Sequence, residues 1–395
     1  MVYSNRILFF ITLAWVFTET ISSKNQSLDE TEILLQQLCC ITAPSGFESD
    51  VRDFLIKRWS KKVKDVSTDN LGNVFFYINC KKDNQSLPTI ALMAHMDEVG
   101  LMVKSISNDG HILFNPIGGW LEVALLAQKW FIKTEKGNVL GFSGLESAHI
   151  SGVYPHVEKT PIRKMFIDIG ASSKEEAEKM GIRPGLAIAP YPSFEKIGPN
   201  GSRYLAKSMD DRVCLLVMDQ LIEKLQDKML DVNVVFVATV QEELGLRGAK
   251  IVANTIKPNI ILNLDVSIAK DFPLQTTEPE DGTKLGKGPA IFVYDGSMIP
   301  DQNLLSYVIE ISQKQKLSYQ FDSMACYGQD GAAVQSMLNG VSAINIGIPC
   351  RYAHSQGSIV DRFDIDETVK LLKAVLQDLN LNKTTKIISK GIGLD

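Results

Sequence analysis

The stretch Thr89-Ile-Ala-Leu-Met-Ala-His95-Met-Asp97 decides the fold. The run from Thr89 to Ala94 carries no charge and then stops at a histidine and an aspartate, as expected of a strand buried on both faces that delivers polar groups where it ends. Such a strand belongs in the middle of a parallel or mixed sheet, with helices on both faces. Outward from it, helical spacing over 29–41 and 48–60 opens the chain, with Ser45 or Ser49 placed to cap the second helix, and an apolar run at 74–78 reads as another strand. From Asp210 the alternation continues: a helix over 210–226, a strand at 232–240, a helix near 246–255 and a strand at 260–264. A helix over 302–316, a strand at 341–346 and a last helix at 366–380 complete it.

Residues 104–194 have a different texture, with Gly110, Gly118, Gly119, Gly137, Gly141, Gly144, Pro155, Pro161 and Pro184 punctuating short runs such as 130–133 and 165–169. That spacing predicts a small β-rich, barrel-like unit. The expected fold class is therefore α/β, with a mixed or parallel sheet flanked by helices. Residues 28–103 and 195–382 form one discontinuous domain and 104–194 is an insertion into it.

The first 23 residues stand apart. Arg6 precedes an apolar stretch over 7–17, followed by a polar run from Thr18 to Ser27. This is the pattern of a secretory signal peptide, with cleavage near Ser22 or Ser23 and an exported or periplasmic product. The stretch falls short of the ~20 residues a spanning helix needs. An uncleaved N-terminal anchor and a cytoplasmic chain with a packed N-terminal extension are the alternatives.

The length of 395 residues and 45% apolar, 22% charged composition are those of an ordinary globular protein. Lys and Arg number 41 against 46 Asp and Glu, a net charge of −5, which gives no basic surface for nucleic acid. Six cysteines are too sparse for a disulfide scaffold and none forms a C-x-x-C pair, although export would allow Cys326 and Cys350 to join.

Open α/β sheets place their sites beyond the carboxyl ends of strands. Here those ends deliver His95 and Asp97, then Glu242 and Glu243, then Asp265, then, across a short loop, His354. Charged groups rarely terminate buried strands at one edge unless something positive gathers them. Imidazole and carboxylate without thiolate suit zinc, and also cobalt or manganese, in catalytic sites. Two histidines and several carboxylates point to two divalent ions, and a pair about 3.5–4 Å apart needs a carboxylate that bridges them. Asp210, at the head of the 210–226 helix, is the candidate. Glu242 and Glu243 are expected to diverge on extended backbone, so that one holds metal and the other faces the attacking water. Asp97 is placed to orient the His95 ring and completes the catalytic group.

Four ordered segments, Ala94-His-Met-Asp-Glu-Val-Gly100, Ser208-Met-Asp-Asp-Arg212, Thr239-Val-Gln-Glu-Glu-Leu-Gly-Leu-Arg-Gly-Ala249 and Arg351-Tyr-Ala-His-Ser355, resemble the glutamyl and deblocking aminopeptidases, which include the tetrahedral aminopeptidases. The resemblance runs from about residue 30 to 381. It implies that His95, Asp210 and Asp265 hold one metal, that Asp210, Glu243 and His354 hold the other, and that Glu242 is the general base. It also implies short peptides with free N-termini as substrates and self-association, typically into dodecamers, through the β-rich unit. The family's Gly-Thr-Asp-Ala segment is Gly328-Gln-Asp-Gly331 here, which keeps Asp330 as a carboxylate that can hold an α-amine. Two rival readings are an endoglucanase-type glycoside hydrolase, a label some members carry, and a non-catalytic exported binding or assembly protein. In the first, two histidines and a bridging aspartate have no duty. The second predicts a lost base or ligand, yet all six positions are filled.

Overall fold

Apolar runs that end in charge become the central parallel strands of a mixed sheet. The computed structural model describes residues 27–63, 65–78, 87–145, 147, 149, 161–273 and 282–389. The chain divides into two units, 1–34 and 35–395, the first represented among the described residues only by the approach to a helix and its opening turn. That helix is α1 (Glu30–Cys40), followed by α2 (Ser49–Trp59), β1 (Asp65–Thr68), β2 (Val74–Ile78) and β3 (Thr89–His95). A second sheet then begins with β4 (Gly100–Ile106), β5 (Ile112–Ile117), β6 (Gln128–Thr134) and β7 (Gly137–Ser143), and ends, after the short α3 (Lys174–Lys179), with β8 (Ala187–Pro190). The chain returns through β9 (Phe194–Ile197), β10 (Arg203–Ala206), α4 (Met209–Leu225), β11 (Asn233–Thr239), α5 (Ala249–Ile256) and β12 (Ile260–Ile268). It finishes with β13 (Ala290–Gly296), α6 (Gln302–Lys314), β14 (Gln320–Tyr327), α7 (Asp330–Gln335), β15 (Ser342–Arg351), β16 (Ser358–Asp361), α8 (Arg362–Asp378) and α9 (Leu381–Ile388).

The large sheet runs β1-β2-β11-β3-β12-β15-β16-β10-β9, with β13 paired to β15 and β14. Its centre, β11-β3-β12-β15, is parallel and buried. Phe75, Ala91, Met93, Val235, Val237, Ile261 and Ala343 form one core with Val252 and Ala253 of α5 and Val334 of α7. Helix α4 lies against β3 and β12 and packs on α8, so helices flank the sheet as expected. The register pairs Thr239 with His95 and Asn263 with Met93, which carries Asp265 to the level of His95.

The second sheet is antiparallel, in the order β5-β4-β8-β6-β7. Its two edges are joined by the run noted at 165–169. Ile167 exchanges both backbone hydrogen bonds with Ile112 of β5 (2.9 Å each), and Asp168 exchanges both with Phe142 of β7 (2.8 and 2.9 Å). Closure removes the exposed edges and gives a small barrel. Alternating side chains fill its interior, including Leu101, Val103, Trp130, Ile132, Ile167 and Ile188. Trp130 can sit there because its indole N–H donates to Ser143 Oγ at 2.9 Å.

Several expectations need correction. The strand predicted at 260–264 continues to Ile268, so Asp265 lies within β12 and not beyond its end. Neither serine caps α2: its N-cap is Glu48, without a side-chain cap bond, and Ser45 is used elsewhere. Cys326 is exposed, Cys350 is buried and donates to the carbonyl of Arg351, and both are free thiols. The leader expected over 1–23 lies outside the described residues; among those described, no helix is long and apolar enough to cross a membrane.

Candidate active site

Several of the expected residues sit at or beside backbone irregularities, while Asp265 lies within regular strand β12. β3 ends at His95, and Asp97 follows two residues on, its carbonyl 3.1 Å from His95 Nδ1. At the head of α4, Asp210 has φ −75° and ψ 105°, off the helical line, and its carboxylate projects from the start of the helix. After β11, Gln241 adopts φ +56°, which starts a turn instead of continuing the strand. Tyr352 and His354 after β15 have φ of 61° and 57°.

The result is one cluster. Asp210 stands between the two imidazoles, with Oδ1 at 3.0 Å from His95 Nε2 and Oδ2 at 3.3 Å from His354 Nε2. His354 Nε2 also lies 3.2 Å from Glu243 Oε1. His95, Asp210 and Asp265 each offer one ligand atom, all within 4.8 Å of one another; so do Asp210, Glu243 and His354; and so do His95, Glu242 and Glu243. The two histidines are oriented alike. His95 Nδ1 is 3.1 Å from the Asp97 carbonyl, and His354 Nδ1 is 2.7 Å from the Gly119 carbonyl. A carbonyl oxygen can only accept a hydrogen bond, so both Nδ1 atoms donate and both Nε2 atoms face the carboxylates.

The electrostatics show what the chain lacks. Burial opposes ionisation of Asp210, but His354 and His95 override it and hold the carboxyl below its usual range. Burial, reinforced by Asp210 and Asp211, pushes Asp265 well up, and burial with Asp265, Glu243 and Asp330 does the same to Glu242. Glu243 is raised by burial, against the pull of His354. Burial disfavours charge on His354, yet Asp210 and Glu243 hold it up to about 11. Carboxyls so crowded call for more positive charge than two imidazoles supply. The nearby buried cations are committed elsewhere. Lys207 Nζ is 2.7 Å from both Glu98 oxygens, and Arg212 donates to the carbonyls of Leu38 and Met96. Glu243 Oε1 is buried without a partner in hydrogen-bond geometry. Nitrogen and oxygen donors, among them a buried carboxylate oxygen that makes no hydrogen bond, fit divalent cations.

The site also departs from the sequence reading. Glu242 and Glu243 do not diverge, because the turn at Gln241 replaces the extended backbone on which alternation depends; both reach the neighbourhood of His95. Asp97 does more than orient a ring. Its Oδ1 lies 3.4 Å from His95 Nδ1, farther than its own carbonyl, while its oxygens accept the backbone N–H of Glu242 (3.0 Å) and Glu243 (3.1 Å) and the hydroxyl of Ser45. Asp330 is 2% exposed and accepts from Thr239 Oγ1 at 2.6 Å, so its carboxylate is closed off from solvent in this conformation and is not gathered with the other ligands. Gly118 and Gly119 were visible only as turn residues. Gly118 has φ +78°, and a Cβ there would stand 2.7 Å from Val99 Cγ1 and 3.1 Å from Glu243 Oε2, so a bare backbone is required where the barrel meets the site.

Two histidines and four carboxylates gather at one end of the sheet's parallel centre, the arrangement of a metal-dependent hydrolase. The chain belongs to the M42 glutamyl aminopeptidase family, which it matches over residues 72–371. It is accordingly a metal-dependent aminopeptidase. It is 35% identical over 342 residues to a lysyl aminopeptidase of Pyrococcus furiosus, covering 85% of this chain and 93% of that one. Among solved structures, an aminopeptidase of the archaeon Desulfurococcus kamchatkensis superposes with a TM-score of 0.85 at 36% identity, over 92% of this chain and 99% of that one. The TET1 peptidase of Pyrococcus horikoshii, described as assembling into a tetrahedron or a large octahedral shell, gives a TM-score of 0.78 at 29% identity over 88% of this chain and 100% of that one. With family and relatives agreeing on a peptidase, the endoglucanase label and the non-catalytic reading fall away.

Proposed function

We propose that the chain removes N-terminal residues from short peptides by hydrolysis and that its site would hold two divalent ions, zinc first among them, with cobalt or manganese as alternatives. The observation that carries this reading is Asp210, with one oxygen toward each imidazole. His95, Asp210 and Asp265 would hold one ion and Asp210, Glu243 and His354 the other. When bound, the ions lower the pKa of water and polarise the scissile carbonyl. The protein's own part is proton handling and placement. Glu242, in neither ligand set, takes a proton from the attacking water and returns it to the leaving amine. Asp97 keeps Glu242 and Glu243 in place through their backbone N–H groups, and the Asp97 and Gly119 carbonyls fix the rings.

Relatives of this chain carry both lysyl and glutamyl aminopeptidase names, and the preferred N-terminal residue is proposed to depend on side chains outside the ligand set. A panel of aminoacyl-anilides and peptides, with free and acetylated N-termini, tests the reading on metal-stripped protein reloaded with zinc, cobalt or manganese. Free N-termini are expected to be cleaved only after reloading; comparable cleavage of blocked peptides would refute it. We also propose that the chain self-associates, dodecamers included, through the inserted unit predicted over 104–194. In its support, the five-stranded sheet spans residues 100–190, Leu140 and Phe142 are exposed apolar side chains on it, and Phe166, in the run that closes it, is exposed too.

A further inference from the structure

The loop joining α1 to α2, Pro44-Ser-Gly-Phe-Glu48, supplies no metal ligand, yet it holds buried polar side chains against the catalytic turn. Glu48 is 6% exposed and Ser45 2%. Glu48 is the N-cap residue of α2, but its carboxylate makes no cap bond there. Instead Oε1 accepts the backbone N–H of Gly46 at 2.7 Å and, across the site, that of Gln241 at 3.1 Å. Ser45 Oγ donates to Asp97 Oδ2, and Asp97 accepts the N–H groups of Glu242 and Glu243. Three successive N–H groups, 241 to 243, are thus each claimed by a buried carboxylate. They need to be, because Gln241 is a side-chain-bearing residue at φ +56°, a conformation rarely adopted without support.

The loop is itself anchored. Ala43 N donates to Glu98 Oε1 at 2.9 Å and Glu98 N to the Ala43 carbonyl at 3.1 Å. Pro44 fills the space above Gly100, where a Cβ would stand 2.6 Å from Pro44 Cγ. Lys207 Nζ donates to the Ile41 carbonyl at 3.1 Å. The loop therefore ties the segment after β3 to the turn after β11, the two strand ends that carry His95 and the paired glutamates.

We infer that Glu48 and Ser45 are positioning residues for hydrolysis: they hold the left-handed turn at Gln241, and with it the convergence of Glu242 and Glu243, acting through backbone N–H groups and through Asp97. Glu48 needs only an acceptor oxygen for this. The inference deepens the assignment of Glu242 and Glu243 above and rests on it.

The test compares Glu48→Ala, Glu48→Gln and Ser45→Ala with wild type and Glu242→Gln, all at saturating metal, reading kcat, KM and thermal stability. A displaced turn misplaces the reacting groups without touching substrate binding, so Glu48→Ala should lower kcat about tenfold to hundredfold with KM within about threefold of wild type. Glu48→Gln keeps a carbonyl oxygen for both N–H groups and should recover kcat to within about fivefold. Ser45→Ala should lower kcat in the same sense by a smaller factor. A wild-type kcat in Glu48→Ala, or a Glu48→Gln as impaired as Glu48→Ala, overturns the inference, as does loss of stability with unchanged kcat. Should Glu48→Ala fail to fold, a wild-type kcat in Ser45→Ala overturns it instead. Wild-type turnover in Glu242→Gln would fail the base assignment, which is a separate outcome.

Discussion

Removing the Asp97 side chain should hurt both stability and turnover, by amounts that follow from its partners. Asp97 is fully buried and accepts from Glu242 N at 3.0 Å, Glu243 N at 3.1 Å and Ser45 Oγ. In Asp97→Ala the backbone N–H groups of Glu242 and Glu243 lose their acceptor. Leaving a buried donor unsatisfied costs about 1–3 kcal/mol each, so the metal-loaded protein should lose about 2–6 kcal/mol. Both glutamates are then free to shift, and misplacement of about 1 Å costs on the order of 10²-fold in rate. Asp97→Asn retains one acceptor oxygen and turns an N–H₂ toward the other donors, so it should lie between wild type and alanine in both measures. Urea unfolding and steady-state kinetics on the three proteins check this. Equal stability for Asp97→Ala and wild type, or an asparagine variant worse than alanine in both measures, would refute the reasoning.

Two further outcomes are expected. Leu140→Glu combined with Phe142→Glu places charge on the exposed face of the barrel while leaving its core intact, and should reduce the oligomer to smaller species in light scattering; an unchanged assembly would move the interface elsewhere. Asp271 receives two hydrogen bonds of 2.7 Å from Arg351, the last residue of β15 before the His354 loop. Burial works against its charge, but Arg351 prevails and holds the carboxyl below its usual range. A lowered native pKa gives stability that is present above the unfolded value of about 3.9 and is lost as pH falls through the native one. Asp271→Asn should therefore be less stable than wild type at neutral pH and show a shallower loss on acidification, by thermal melts across that range; parallel profiles would contradict the assignment.

The readable parts of this chain were those whose physics is local. Thr89 to His95 declares itself a central strand because nothing polar interrupts it, and the same logic placed β11, β12, α4 and the residues that follow them. Strands β13, β14 and β16 escaped notice because they mix exposed and buried positions or are very short, and so lack a clean period. Asp265 stood out as a candidate although β12 continues past it, since a buried aspartate in an apolar run is conspicuous whatever the strand's length. The convergence of Glu242 and Glu243 was misread because it depends on a left-handed backbone at Gln241, a residue whose identity does not announce one. Ser45 and Glu48 read as ordinary helix-start residues because their partners lie 52 and 193 positions away. Barrel closure by 165–169 is likewise a long-range pairing, visible in sequence only as one more apolar run.

The central claim is that Glu242 moves the proton while Glu243 holds metal, and Glu242→Gln tests it most directly when metal content and turnover are measured on the same preparation. The amide is nearly isosteric with the acid but cannot accept a proton, so turnover should fall by about 10²–10⁴ or more with both ions retained. Glu243→Gln, run beside it, removes a direct ligand and should lower the occupancy of one site. Near-normal turnover in Glu242→Gln, or loss of metal from it while Glu243→Gln keeps its full complement, would contradict the account.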